Sequence, residues 1–387
     1  MIETYLYLDN AATSWPKPDI VYETLDRFTR TTAANPGRSG HRMAVEAEER
    51  ISDCRGRLAR LIRAESPERI AFTLNGTDAL NIAIKGVVKA GDHVVTSVLE
   101  HNSINRPLGR MEKEGRIQVT RCPADGAGII SPDDVRRALR PNTRLVAITH
   151  CPNALGVVQP VEEYGRISRE AGALLLVDAA QSIGVVDIDV HRMNIDLLAF
   201  PGHKALFGLM GTGALYVRKG LDLAFFREGG VGYKAEVELH PEEMPYRLEG
   251  GTPNAHGIVA LGAGLKFIEE EGLERIRRHE QGLALKFIAR LREDRRFVVH
   301  AGNIPERQLG PVSLSIRGAP PDEVGAALDR EYRIACRPGL HCAPGAHKHL
   351  GTFPKGTVRF SFGYFNTEEH VDRAAQALES IAQAYRA

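Results

Sequence analysis

The sequence predicts an α/β protein with a mostly parallel sheet covered by helices, followed by a smaller α+β domain. Short apolar, β-branched runs alternate with helix-period segments through the first two thirds of the chain. After about Asn254 this alternation gives way to long amphipathic segments. With 387 residues, 43% of them hydrophobic, the chain is long enough for two such domains.

The predicted strands of the large domain are runs that are apolar on both faces, as buried parallel strands are. They are RIAFTL (69–74), GDHVVTSV (91–98), TRLVAITH (143–150), ALLLVDAA (173–180), IDLLAF (195–200) and GALYVR (213–218). Helical periodicity occupies residues 77–90 and 161–172 between them. Because such sheets bind ligands beyond the carboxyl ends of their strands, functional residues are expected just after these runs.

The C-terminal third predicts a smaller unit of long helices and weak strands. Residues 255–294 carry one long amphipathic pattern that fits two helices, and residues 367–387 predict a closing helix. The weak strands are FVVHAG (297–302), GPVSLSIR (310–317) and TVRFSFG (357–363). We therefore divide the chain into a large domain, 16–258, and a small domain made of 1–15 and 259–387.

Charge and composition exclude several classes of protein. Fifty basic and 49 acidic side chains leave a formal charge of +1, so no long-range field favours nucleic acid or an anionic membrane. No apolar run approaches the ~20 residues of a membrane span, and no signal peptide is visible. Five cysteines without paired spacing argue against a disulfide framework or a structural zinc site. The sequence therefore predicts a cytoplasmic protein without a bound metal.

A carboxylate and an amine follow two of the predicted strands. Asp178 ends one strand, and Lys204 follows another between glycines. Taken alone, Asp178 is better explained as a helix N-cap, and a lysine at a rim is usually solvated. As a pair they match the needs of pyridoxal phosphate, whose aldehyde takes an amine and whose ring nitrogen is kept protonated by a carboxylate.

Three further residues follow strands in the same way. Gly76 and Thr77 stand where a strand gives way to a helix, and a helix N-terminus with a hydroxyl suits a phosphate group. His101 either packs as a polar core residue or lies over a planar ring and transfers protons. Glycine-bearing turns are common in α/β proteins, so the phosphate interpretation is weak by itself.

The segment GLHCAPGAHKHLG, 339–351, presents Cys342 among glycine, proline and histidine. It is a loop with a reactive thiol, a metal site made with His341, His347 and His349, or a surface turn. Adjacent side chains such as His341 and Cys342 rarely converge on one ion, which disfavours the metal. A thiol beside histidine or arginine is favoured as thiolate, so we expect a reactive cysteine.

Eight short motifs extend this interpretation over nearly the whole chain: YLDNAAT, NGTDALN, EHNSIN, THCPNALG, VDAAQS, GHK, EGGTPN and GLHCAP. In this order they resemble the class V aminotransferase superfamily of fold-type I pyridoxal phosphate enzymes. Within it the chain is most similar to cysteine desulfurases and selenocysteine lyases. The short segment around Cys342 resembles the group with a fixed thiol, which includes the selenocysteine lyases.

The resemblance implies a role for each residue of the site. Lys204 would hold the cofactor as a Schiff base, Asp178 would pair with the ring nitrogen, and His101 would stack on the ring. The remaining implied contacts are Gln181 to the ring hydroxyl; Gly76, Thr77 and His203 to the phosphate; Thr252 to the cofactor of the partner subunit in a homodimer; and Asn153, Arg359, Arg38 and His41 at the amino-acid substrate.

The implied reaction converts L-cysteine to L-alanine and leaves the sulfur on Cys342 as a persulfide for a sulfur-acceptor protein. Lys204 would take the α-proton, and His101 is the candidate proton carrier. The alternatives are a selenocysteine lyase acting on L-selenocysteine, a C–S β-lyase, and a non-enzymatic sulfur carrier or metal-binding protein. One departure is Pro201, since desulfurases usually have Ser or Thr before GHK, and proline lacks both a hydroxyl and an N–H.

Overall fold

The structure is a computed structural model that describes residues 5–37, 40–233 and 236–385. Its α-helices are α1 (Asp19–Thr31), α2 (Arg42–Ile62), α3 (Gly76–Val87), α4 (Asn102–Lys113), α5 (Pro132–Ala138), α6 (Val161–Glu170), α7 (Ala255–Glu271), α8 (Leu273–Arg292), α9 (Pro321–Tyr332), α10 (Pro344–His349) and α11 (Glu368–Ala384). Its strands are β1 (Leu6–Tyr7), β2 (Ile70–Thr73), β3 (His93–Ser97), β4 (Gln118–Cys122), β5 (Thr143–Thr149), β6 (Leu174–Asp178), β7 (Leu197–Pro201), β8 (Gly213–Val217), β9 (Phe297–Val299), β10 (Pro311–Ile316), β11 (Ile334–Ala335), β12 (Arg337–Gly339) and β13 (Thr357–Ser361).

A seven-stranded sheet in the order β2-β8-β7-β6-β5-β3-β4 forms the centre of the molecule. The pairs from β7 to β4 are parallel, and β8 runs antiparallel between β2 and β7. Alternate residues of a strand face opposite sides, so Val146 and Ile148 enter one apolar core while Leu145 and Ala147 enter the other. The predicted α/β class with a mostly parallel, doubly covered sheet is confirmed.

The predicted strands of this sheet all form, and the sequence analysis missed one more. Strand β4 pairs only with β3 at the sheet edge, and its residues are exposed or half-buried except Cys122. An edge strand is not covered on both faces, so it does not need the continuous apolar run by which the others were recognised.

A smaller, antiparallel sheet in the order β12-β13-β10-β9 packs with α8, α9 and α11 around its own apolar core. Leu6 and Leu8 from the N-terminal segment lie in this core, and β1 pairs with β11. The predicted long helical stretch is two helices, α7 and α8, separated at Gly272, whose φ of 82° is left-handed.

The division drawn at residue 258 falls inside α7. Ile258, Leu261 and Ile268 of this helix lie in the core of the central sheet, and α7 packs on α1 and α2. The division into 16–258 and the remainder therefore stays a prediction. Within the three described segments, no helix combines the length and hydropathy that a bilayer crossing requires.

Candidate active site

A cavity of about 230 Å³ lies where the carboxyl ends of the parallel strands meet. Its walls come from the segments that follow β2, β3, β5, β6 and β7, as expected for a sheet of this kind. The structure brings together here the predicted site residues Gly76, Thr77, His101, Asn153, Asp178, Gln181, His203 and Lys204. Cys151 also lines the cavity, and burial raises the pKa of its thiol.

Asp178 and Lys204 form an ionisable pair in this cavity. Asp178 is the last residue of β6 and is buried; its Oδ1 accepts a hydrogen bond of 2.9 Å from the Ala180 N–H. Turns follow it, so Asp178 caps a turn and not a helix. Burial raises the pKa of Asp178, although the hydrogen bond from Ala180 and the charge of Lys204 oppose this shift. Burial also lowers the pKa of Lys204 to about 8. A substantial fraction of the Lys204 amine is therefore neutral, and nucleophilic, near physiological pH.

The turn that carries Lys204 is held by the N-terminal segment. The His203 carbonyl accepts hydrogen bonds from Thr13 Oγ1 (2.9 Å) and Lys17 Nζ (2.8 Å), and Ser14 Oγ donates to the Lys204 carbonyl at 2.8 Å. Lys17 is buried, which lowers its pKa to about 8. Sequence reasoning missed these residues because they act on backbone atoms almost 190 positions away, which no local pattern reveals.

The end of the cavity at the start of α3 has the donors that a phosphate needs. A Cβ on Gly76 would lie 3.1 Å from Pro201 Cδ, so the backbone approaches more closely here than a side chain would allow. The His203 Nδ1 is buried without a hydrogen-bond partner among the described residues, and burial lowers the pKa of this ring to about 4. The backbone N–H groups of a helix N-terminus, that of Thr77 among them, and the buried Nδ1 of a neutral imidazole fit a phosphate group.

His101 and Ser103 stand at the start of α4. His101 is the N-cap, and its Nδ1 lies 3.1 Å from the Ser103 backbone nitrogen and 2.8 Å from Ser103 Oγ. Ser103 Oγ in turn lies 2.7 Å from Thr77 Oγ1. Burial lowers the pKa of His101 to about 4, and the charge of Lys204 adds to this effect. Ser103 lines the cavity and was missed by the sequence analysis.

Two of the four residues expected at the substrate, Asn153 and Arg359, lie close to each other. Asn153 lines the cavity and donates through Nδ2 to the His341 carbonyl at 2.6 Å. The fully buried Arg359 donates to Asp9 Oδ1 at 2.7 Å and to the Asn153 carbonyl at 3.4 Å, while its Nε has no partner among the described residues. Burial lowers the pKa of Arg359, against the attraction of Asp9. The Asp9 partner was not anticipated.

Cys342 lies beside the cavity in a strained loop. His341 and Cys342 both have left-handed φ angles, 50° and 57°, which non-glycine residues rarely adopt. Arg337 Nη2 lies 3.5 Å from Cys342 Sγ, and the Asn102 N–H donates to the Cys342 carbonyl at 2.8 Å. Cys342 lines an open groove of about 750 Å³ that shares Thr77, His101 and Ser103 with the cavity. Cys342 therefore borders an open groove that adjoins the cavity.

The histidines of this loop form hydrogen bonds with other groups of the protein. His341 Nε2 lies 2.9 Å from the Arg337 carbonyl, and His341 Nδ1 lies 3.1 Å from His347 Nε2. Burial lowers the pKa of His341 to about 3 and that of His347 to about 4, so both rings are neutral. His349 instead contacts the Asp125 carbonyl. Over the described part of the chain, no three histidine, cysteine or acidic side chains form a metal-binding group.

Four predicted site residues among the described ones do not line the cavity: Arg359 and Cys342, placed above, and Thr252 and His41. Thr252 is exposed and lines a separate cavity of about 570 Å³. His41 is the N-cap of α2, where its Nδ1 accepts a hydrogen bond from the Ala44 N–H. Arg38 lies outside the described residues.

A half-buried lysine and a buried carboxylate at the carboxyl edge of a parallel sheet, beside a helix N-terminus, define a site of the pyridoxal phosphate type. The aminotransferase class-V family model matches residues 6–374. The chain belongs to the class V aminotransferase family, whose members depend on pyridoxal phosphate, as the motifs predicted.

Known proteins similar to the chain are cysteine desulfurases. A probable cysteine desulfurase of Methanothermobacter thermautotrophicus is 36% identical over 99% of this chain and 96% of that protein. A cysteine desulfurase of Escherichia coli O157:H7 is 31% identical over 97% of this chain and 93% of that protein. The apo structure of a cysteine desulfurase from Thermococcus onnurineus superposes with a TM-score of 0.91 at 34% identity, covering 98% of this chain and 95% of that chain.

Proposed function

We infer that the chain is a pyridoxal phosphate-dependent cysteine desulfurase, which converts L-cysteine to L-alanine and takes the sulfur on Cys342. The observation that carries this inference is the juxtaposition of the Asp178 and Lys204 cavity with the groove that contains Cys342. The similarity to cysteine desulfurases along the whole chain supports it. Membership of an enzyme family favours this function over a non-enzymatic sulfur carrier.

Each end of the cavity has groups suited to one part of the cofactor. Bound pyridoxal phosphate supplies an aldehyde for an amine and a protonated ring that withdraws electrons from the substrate α-carbon. Lys204 would hold the aldehyde carbon, and Asp178 would keep a proton on the ring nitrogen. The donors at the start of α3 would hold the phosphate, and Gln181 would reach the ring hydroxyl. Pro201 adds no N–H to this set.

Two side chains would move protons. The Lys204 amine has a pKa lowered to about 8. Once the substrate has displaced this amine from the cofactor, the amine is suited to taking the α-proton of the substrate. His101 would return a proton to the β-carbon after the C–S bond breaks. Both lie in the same cavity as Asp178, which supports a short path for each transfer.

Cys342 would take the sulfur. Its thiolate attacks the sulfur of the substrate, so that an S–S bond forms while the bond between that sulfur and the β-carbon breaks. The electron pair left on carbon takes a proton, which yields alanine and a persulfide on Cys342. Arg337, at 3.5 Å from Sγ, is positioned to stabilise the negative charge on sulfur.

Asn153 and Arg359 would bind the substrate carboxylate. Arg359 is already paired with Asp9, and its Nε, which has no partner among the described residues, is a donor available to the substrate. The buried guanidinium would gain a second negative charge at this point, which supports a carboxylate as the group recognised here. Arg38 and His41 remain proposed contributors to this pocket.

The proposal extends to a homodimer, a sulfur acceptor and a cytoplasmic setting. Thr252 lies away from the cavity of its own chain, which supports a role at the partner's cofactor. The groove beside Cys342 gives the thiol of a sulfur-acceptor protein a route to the persulfide. The five cysteines are all free, which favours a reducing compartment.

The test is the product of one turnover with cysteine. We expect the cofactor-loaded protein to release alanine, not pyruvate, and to retain one sulfur atom per chain, removable by a thiol. Cys342→Ala should keep the cofactor absorbance and lose this sulfur. If Cys342→Ala forms alanine at the wild-type rate, the covalent role of Cys342 is wrong. Pyruvate as the carbon product would indicate a C–S β-lyase, and turnover of selenocysteine alone would indicate a selenocysteine lyase.

A further inference from the structure

The Ser103 hydroxyl connects two residues of the cavity. Its Oγ lies 2.8 Å from His101 Nδ1 and 2.7 Å from Thr77 Oγ1, and the side chain is only 7% exposed. These are normal distances for strong hydrogen bonds. Thr77, Ser103 and His101 therefore form one continuous chain of hydrogen bonds.

The direction of this chain follows from the backbone. His101 Nδ1 lies 3.1 Å from the Ser103 backbone nitrogen, and an amide N–H only donates. Nδ1 must therefore be the acceptor, and the single ring hydrogen of neutral His101 is on Nε2. Since Nδ1 has no hydrogen to give, the Ser103 hydroxyl donates to it. A hydroxyl has one hydrogen, so Ser103 accepts from Thr77.

This direction limits what His101 can do as a proton carrier. The ring is neutral because burial lowers its pKa to about 4, so Nε2 gives up its proton readily only if Nδ1 gains another. The groups at Nδ1 are the Ser103 hydroxyl and a backbone amide, and the amide does not exchange its proton on the time scale of turnover. Ser103 is thus the group that can supply a proton to Nδ1.

We propose that Ser103 is a positioning residue that fixes the His101 ring with its hydrogen on Nε2 and passes a proton to Nδ1 as Nε2 releases one. As one proton leaves His101 Nε2, Ser103 gives its hydrogen to Nδ1 and takes that of Thr77, so no charge accumulates on the ring. The ring resets when Nε2 takes up the α-proton held by Lys204, which lines the same cavity, and Nδ1 returns its proton along the same chain. Thr77 and Ser103 also line the open groove, where water supplies the proton. This inference rests on the proposed function, in which His101 protonates the product.

Ser103→Ala removes the hydroxyl and keeps the backbone N–H that donates to His101. We expect alanine formation in a single turnover to fall by about tenfold or more, with the KM for cysteine and the cofactor absorbance unchanged. Ser103→Thr restores a hydroxyl at the same position, so its rate should return to within about threefold of wild type. A wild-type rate in Ser103→Ala, or a Ser103→Thr rate as low as that of Ser103→Ala, would overturn the proposal.

A second measurement needs neither cofactor nor turnover. The ¹⁵N shifts of the His101 ring in the cofactor-free protein, assigned by their loss in His101→Gln, report which nitrogen carries the hydrogen. We expect Nε2–H, and a ring protonated on Nδ1 would refute the proposed direction. If wild type forms no alanine from cysteine, the proposed function fails, yet these shifts still decide the arrangement around Ser103.

Discussion

At the scale of residues, the chemistry of the site depends on burial of groups that ordinarily carry charge. Lys204, His101 and His203 all have pKa values lowered mainly by burial, while burial raises that of Asp178. The amine and the rings are thereby held toward their neutral forms, in which they can accept or transfer protons. In water, the lysine amine would be largely charged and the two imidazole rings would titrate near neutral pH.

The pKa of Lys204 predicts how cofactor uptake depends on pH. Below the lowered value of about 8 the cofactor-free protein carries a protonated amine, which cannot attack an aldehyde. We therefore expect the uptake rate to rise about tenfold per pH unit below this value and to level off above it. Stopped-flow absorbance after mixing with pyridoxal phosphate measures this rate. A rise that continues to pH 10 would contradict the burial effect.

Sequence reasoning at this scale pointed to residues of the cavity where a residue ends or closely follows an apolar run. Asp178, Lys204, Thr77 and His101 were found in this way, because the carboxyl ends of parallel strands converge. Asp9, Lys17 and Ser103 were not found. Their contacts with the site residues join distant segments or depend on the conformation of one helix turn, and neither leaves a signature in composition or periodicity.

At the scale of elements, the turn after β7 is held by the N-terminal segment that contains Thr13, Ser14 and Lys17. Ser14 Oγ donates to the Lys204 carbonyl and accepts from Lys17 Nζ, both at 2.8 Å. The N-terminal segment also places β1 beside β11, so one stretch of chain fixes the lysine turn and joins the smaller sheet region.

Ser14→Ala tests this connection. Removing the hydroxyl leaves the Lys204 carbonyl and the Lys17 amine each without one partner, so the free energy of unfolding should fall by about 1–3 kcal/mol. Urea unfolding of the cofactor-free protein measures it. Ser380→Ala is the matched control, because Ser380 Oγ bonds the Gln376 carbonyl on an exposed helix face and its loss should change little. Equal effects of the two changes would refute the role of Ser14.

Gly76 tests the phosphate end of the cavity. A Cβ there would lie 3.1 Å from Pro201 Cδ and 3.3 Å from Pro201 N, so in Gly76→Ala the start of α3 and Pro201 must shift by a few tenths of an ångström. We expect pyridoxal phosphate to bind about tenfold more weakly, by absorbance titration. Gly109→Ala, where a Cβ meets no atom within 4 Å, is the control and should leave binding unchanged. Unaltered affinity of Gly76→Ala for pyridoxal phosphate would show that the phosphate does not bind at this position.

Periodicity predicted the buried strands and the helices α3, α6, α7, α8 and α11, but not α1, α2 or the strands β4, β11 and β12. The edge strand β4 lacks an apolar run, and β11 and β12 have two and three residues. Elements this short are defined by the strands they pair with, so their own sequences carry too few residues for a pattern.

At the scale of the whole molecule, the site within one chain lacks the residue that is expected to come from a partner subunit. Thr252 lies in a separate cavity, near the Arg55 and Glu249 ion pair, which is 2.6 Å between Nη1 and Oε1 and ties this segment to α2. A single chain cannot reveal by its sequence which surface meets a second copy, so the motif EGGTPN alone could suggest the contact but not its geometry.

Mixed subunits test the proposed homodimer. Thr252→Ala should weaken cofactor binding in both sites, and Lys204→Ala should abolish covalent attachment in its own chain. A heterodimer of the two variants would contain one complete site, with Lys204 from one chain and Thr252 from the other. We therefore expect heterodimers, separated by distinct affinity tags, to bind cofactor with wild-type affinity at half of their sites. Affinity as low as in Thr252→Ala homodimers would place Thr252 outside the partner's site.

The backbone around Cys342 bears on how sulfur would leave the persulfide proposed at this residue. Its carbonyl is bound by Asn102, its neighbour His341 is bound on both ring nitrogens, and both residues are in left-handed conformations. A loop held by this many contacts is expected to stay in place and not to move the sulfur outward. Sulfur transfer is then limited by how far an acceptor can insert its own thiol into the groove. Small thiols should therefore accept the sulfur quickly and bulky ones slowly.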